Sequence, residues 1–173
     1  ILNRFLGSEW QNLKRFENLD DSQRSIVFYA ENKASMNHFK LLISELTKKE
    51  PNQKIIQWIQ EKHESDLCLS ILTLGEIQKG ITKLPESKKK NDLQEWLGND
   101  LLQRFEGRIF TVTIAVAKKW GKVEGETEKK GEKMPAIDSL IAATGIVNDL
   151  TVITRNTEDM ERSGVKLFNP WSI

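Results

Sequence analysis

An α/β fold with a mostly parallel central β-sheet flanked by α-helices is what the sequence predicts for these 173 residues. Short apolar runs (SIVFY, LCLSIL, RIFTV, LTVIT and VKLFNPW) alternate with longer segments whose apolar residues recur at helical spacing. LCLSIL is apolar on both faces, as a strand covered from both sides must be, and parallel sheets are covered in that way. Right-handed crossovers then gather the strand ends on one edge, where ligands of such sheets bind.

The elements follow in order. Leu6, Trp10 and Leu13 keep i, i+4, i+7 spacing and predict a short amphipathic helix within residues 1–24. Asp20-Asp21-Ser22 breaks the chain before the SIVFY strand, and Met36, Phe39, Ile43 and Leu46 then line a long helix. Pro51 suits a first helical position, and Ile55, Trp58 and Ile59 predict the helix behind it. Residues 66–72, DLCLSIL, read as a buried strand leading into a helix carrying Ile77 and Ile81 that stops before Pro85. Leu93, Trp96, Leu97 and Leu101 stripe the next helix, which ends near Gly107. After the RIFTV strand, Ala115, Val116, Trp120 and Val123 predict a helix fading into GETEKKGEK. MPAIDSLIAATGIVNDL is the clearest helix, LTVIT the following strand, and VKLFNPW the last one.

Composition removes several function classes. Lys+Arg 26 against Asp+Glu 25 gives a net charge of +1, so any polyanion must be met by a local patch. One cysteine, Cys68, excludes an intrachain disulfide, and with His38 and His63 as the only histidines no zinc-type cluster can form. No apolar run has membrane-spanning length, and the setting expected is cytoplasmic, with no membrane partner. No serine elbow or Gly-rich phosphate loop is present. Lys83 and Lys88 to Lys90 read as a solvated loop, Cys68 as a buried hydrophobe, and Trp58, Trp96, Trp120 and Trp171 as packing residues.

Polar residues that fall at the expected strand ends carry the functional argument. Glu76 follows LCLSIL, Asp138 lies in the first turn of PAIDSLIAATG, and Asn156 and Asp159 follow LTVI in TRNTED. Each has an ordinary explanation: Thr73 to Glu76 fits a capping box, Asp138 suits a helix N-terminus, and Asn156 and Asp159 are turn formers. Their joint placement argues otherwise, because converging carboxylates repel unless a cation sits among them. Oxygen ligands without His or Cys suit Mg²⁺ or Mn²⁺, which can activate water against a phosphodiester.

At these residues the chain resembles a known family. LSILTLGEIQKGITKLP, WLGNDLLQRFEGRIFTV, KKWGKVEGE, MPAIDSLIAATGIVNDLTVITRNTEDM and GVKLFNPW are similar to the PIN-domain ribonucleases, in particular the VapC/FitB-like toxins of type II toxin–antitoxin pairs, over roughly residues 43–171. The resemblance implies a Mg²⁺- or Mn²⁺-dependent endoribonuclease, a homodimer, held inactive by a cognate antitoxin protein. It makes Glu76 the second acid and Asp138 the third, with Asn156 and Asp159 at the fourth position. Thr73, Thr154 and Arg155 become the residues expected to meet RNA.

The first acid departs from the pattern. The family opens on a strand like LLDTNVISEL; ISEL is present as residues 43–46, but Phe39 stands where the Asp belongs. Residues 1–42 are foreign to the family, and SIVFYAENKASMNHFKLLISEL weakly resembles a segment of unrelated surface-carbohydrate enzymes. Glu31, at the end of the SIVFY strand, is the candidate replacement as a metal ligand. The expected organisation is an atypical extension over residues 1–35 and a PIN-like domain over residues 36–173. A catalytically silent PIN fold that sequesters antitoxin or RNA is the rival reading.

Overall fold

A computed structural model of the chain describes residues 27–30, 53–60 and 66–172. The elements are β1 (Val27–Ala30), α1 (Gln53–Gln60), β2 (Leu69–Ser70), α2 (Ile71–Thr82), α3 (Lys88–Trp96), β3 (Ile109–Phe110), α4 (Ile114–Lys129), α5 (Ala136–Val147), β4 (Leu150–Ile153), α6 (Thr157–Glu161) and β5 (Lys166–Phe168). Strands β1, β4 and β5 form one sheet in the order β1-β4-β5, and β2 pairs with β3 in a second. The β2–β3 and β4–β5 pairings are parallel. β1 instead runs antiparallel to β4, with Val27 opposite Ile153 and Ala30 opposite Leu150. The helices expected within residues 1–24 and over residues 36–46 lie outside the described residues, as do Glu31, Phe39 and Pro51.

Among the described residues two apolar clusters account for the packing, and β2 stands between them. Neighbouring residues on a strand point to opposite faces. Cys68 accordingly joins the cluster of Val123, Met134, Ile141, Ala142, Leu150, Val152, Met160 and Val165. Leu69 joins Ile77, Ile81, Leu93, Leu97, Leu101 and Phe105 on the other side. A segment buried on both faces has no solvent side to make polar, which is why LCLSIL reads as uniformly apolar.

That uniformity also hides where the strand stops. Helix α2 begins at Ile71, with Ser70 as its cap: Leu72 N–H donates to Ser70 Oγ at 3.2 Å. The apolar Ile71 and Leu72 are therefore helical, not strand. Thr73, buried within the first turn, is not a cap, so the capping-box explanation of Glu76 does not hold.

In the helix after Pro85, Leu93, Leu97, Leu101 and Phe105 are all buried. Positions four apart on an α-helix drift by about 40° per step, so such a ladder would leave the core within a few turns. A π-helical turn over Leu97–Leu101, followed by an α turn at Leu102–Arg104, widens the spiral and absorbs the drift. Gly107, at φ 71°, ends the run in the left-handed region. Arg108 then donates through Nη1 to Leu67 O at 2.7 Å and lies over the Phe105 ring at 4.6 Å, fastening β3 beside β2.

Helix α4 extends to Lys129, through GETEK, where the sequence predicts fading. Thr113 caps it, accepting from Val116 N–H at 3.3 Å. Buried Val116, Val123 and Thr127 keep it against α5, although beyond Ala117 its exposed residues are all charged or Gly. Trp58 of α1 stacks on Phe168 of β5, with ring centroids 5.3 Å apart, so the expected packing role of Trp58 is met. Among the described residues no helix is long and apolar enough to cross a membrane.

Candidate acidic site

The site forms where β4 ends. Thr154 N–H donates to Phe168 O at 3.1 Å, carrying the β4–β5 ladder one residue further. Thr154 is 1% exposed, and its Oγ1 accepts from Asn156 N–H at 3.0 Å, which turns the chain sharply into α6. Asn156 is the residue capping α6, yet no side-chain cap hydrogen bond is made. Its amide is directed elsewhere. Nδ2 donates to Asp159 Oδ2 at 2.8 Å and to Asp138 Oδ2 at 3.1 Å.

Asp138 arrives from a different element. It sits in the first turn of α5 and is 2% exposed. That start is fixed from beside it: Trp120 Nε1 of α4 donates to Ser139 Oγ at 2.9 Å, and Ser139 Oγ donates to Ala136 O at 3.1 Å. A surface acid at a helix N-terminus would gain a few tenths of a kcal/mol to about 1 from the dipole and need nothing more. A buried one is costly unless polar groups surround it. The amide bridge to Asn156 is such a group, and it brings two carboxylates to one nitrogen.

Among the expected residues, the structure therefore joins Asp138, Asn156, Asp159 and Thr154. Thr73 is fully buried and Glu76, one turn further along α2, has a buried Oε2. Glu76 does not close a tight triad with the two aspartates: among the described residues no three His, Cys, Asp or Glu side chains converge closely enough to hold a metal ion. Glu31, the candidate replacement for the first acid, lies outside the described residues.

Arg155 is exposed on the same turn, its guanidinium carbon 4.3 Å from the centroid of the Trp171 ring. Neither this pairing nor the Trp120–Ser139 brace is read from the sequence, because both tie segments far apart in the chain. The polar Ser139 in a largely apolar helix was the available signal for the brace.

The donor set suits a hard divalent cation. All available ligands are oxygens, Asp138 is buried, and Asp138 and Asp159 already share one positive-end donor. Rotation of the Asn156 amide would present its carbonyl oxygen at the same point.

Residues 41–165 match the family model described as PIN domain. Toxin FitB of Neisseria gonorrhoeae is 35% identical over 130 residues, spanning 75% of this chain and 94% of that protein. A VapC ribonuclease of Sinorhizobium fredii is 28% identical over 75% of this chain and 93% of its own length. The crystal structure of FitAcB from Neisseria gonorrhoeae superimposes with a TM-score of 0.72 at 32% identity, covering 82% of this chain and 100% of that one.

Proposed function

The chain belongs to the PIN-domain family and is homologous to the FitB and VapC toxins, and from that premise we propose that it is a Mg²⁺- or Mn²⁺-dependent endoribonuclease, the toxin of a toxin–antitoxin pair. The observation that carries the reading is the Asn156 amide shared between Asp138 and Asp159, residues of two different helices. Structure alone would not require that arrangement. Burying one carboxylate beside another is a cost that a cation site offsets.

Asp138 and Asp159 would hold the ion, with Asn156 Oδ1 as a neutral ligand and Glu76 approaching from α2. When bound, the ion supplies positive charge that activates water and neutralises charge developing on the phosphodiester. The chain's own part is positioning. Thr154 fixes the turn that presents Asn156, the Trp120–Ser139 hydrogen bond holds the start of α5, and burial of Asp138 keeps bulk water from its carboxylate. The antitoxin and a second copy of the chain are the partners this reading adds.

A silent site is the second reading. It is favoured by Phe39 at the family's first-acid position and by the absence, among the described residues, of a convergent acidic triad. Calorimetric titration with Mn²⁺ separates the two. The ribonuclease reading expects saturable heat that disappears in Asp138→Asn; no heat from the parent chain would leave the silent fold.

A further inference from the structure

We propose that Asn156 gates the acidic site: its amide nitrogen and a divalent ion compete for the same two carboxylate oxygens, so the ion binds only as the amide turns over to present Oδ1. This rests on the cation site of the reading above. Nδ2 carries two hydrogens, and it donates to Asp138 Oδ2 at 3.1 Å and to Asp159 Oδ2 at 2.8 Å. Both hydrogens are thus spent on carboxylates of two different helices, one of them buried. An ion shared by those two oxygens would stand between them, about 2.1 Å from each for Mg²⁺. The nitrogen fills that space, so donor and ion exclude each other.

Only the side chain has to move. Asn156 N–H donates to Thr154 Oγ1 at 3.0 Å, and buried Thr154 in turn donates its own N–H to Phe168 O at 3.1 Å, so the backbone of this turn is held from both neighbours. The last torsion of an Asn side chain is broad and two-fold, and its oxygen and NH₂ are close in size. A half-turn therefore exchanges a donor for an acceptor without needing room. Oδ1 is not committed to the helix either: an Asn at a helix cap normally accepts from the first turn, yet no side-chain cap bond is made at α6. The same pivot sets a preference among ions. Two charge-assisted hydrogen bonds must be given up on binding, a loss that a doubly charged ion offsets far better than a singly charged one. The amide thus favours Mg²⁺ or Mn²⁺ over K⁺.

The test is nuclear magnetic resonance of the full chain labelled with ¹⁵N and ¹³C, with the Asn156 side-chain NH₂ assigned through its own Cβ. In EDTA, its exchange with water should be slowed about tenfold relative to the exposed Asn91 and Asn99, as two hydrogen bonds to charged groups require. KCl should leave that protection in place. Mg²⁺, which is diamagnetic, should remove it and move the Asn156 ¹³Cγ resonance as Oδ1 takes up the ion. No protection in EDTA would overturn the gate alone, as would protection that persists while the carboxyl resonances of Asp138 and Asp159 shift with Mg²⁺. Protection lost with ¹³Cγ unmoved would overturn the turnover, because the amide would then have swung aside, and protection lost in KCl would overturn the preference. Mg²⁺ that moves no resonance of Asp138, Asn156 or Asp159 would overturn the gate together with the reading it rests on.

Discussion

Asn156 stands at the cap of α6 but makes no cap, and that choice defines the site at the scale of single residues. Its amide is the neutral link between Asp138 and Asp159, so Asn156→Ala leaves two carboxylates facing each other. In EDTA the variant should lose about 1–2 kcal/mol of stability by denaturant titration, and Mn²⁺ should recover part of it. An unchanged midpoint would show that the bridge contributes nothing. The missing first acid can be tested the same way. Glu31→Gln tests the candidate replacement ligand by Mn²⁺ titration, and Phe39→Asp should raise Mn²⁺ affinity about tenfold or more, as expected of an added charged ligand. A large loss in Glu31→Gln would mean that Glu31 does reach the metal.

Among the elements, α2 depends most on one contact. Ser70 sets its first residue and hence the position of Thr73 and Glu76 along it. Ser70→Ala should cost about 1 kcal/mol in a thermal or urea melt, and cleavage should fall with it because Glu76 moves. A stable variant with full activity would detach the cap from the site. The helices were legible because their buried stripes, such as Ile77 and Ile81 or Leu93, Leu97 and Leu101, repeat at helical spacing. The boundary between β2 and α2 was not, since an apolar residue looks the same in a strand buried on both faces and in the first turn of a covered helix. The antiparallel sense of β1 was likewise beyond reach, because strand direction is decided by partners far away in the chain. Of the site, Asp138, Asn156 and Asp159 could be named from TRNTED and PAIDS, but the amide bridge joining them needed the fold.

At the scale of the whole molecule, the described residues concentrate their burial in the two clusters that meet across β2. Leu101→Ala, at a fully buried position, should cost about 3 kcal/mol. Burial pushes the Cys68 thiol up from 9.0 to about 12, against the opposing influence of the Arg108 charge. Between those values the unfolded chain releases a proton that the folded chain keeps, so stability should fall as pH rises from 9.0 towards about 12, by up to about 1.4 kcal/mol per pH unit. Below that window the thiol contributes no pH dependence. Melts of Cys68→Ala should show a flatter alkaline limb; an identical limb would assign the loss to other groups. The central claim is that the acidic groups at the end of β4 form a working nuclease site. It is tested most directly by incubating the full chain with labelled RNA and Mn²⁺ beside Asp138→Asn. The account predicts cleavage by the parent chain, lost at least about a hundredfold in the variant, as befits a residue that holds the activating charge. Equal cleavage by both would contradict it, as would no cleavage by either.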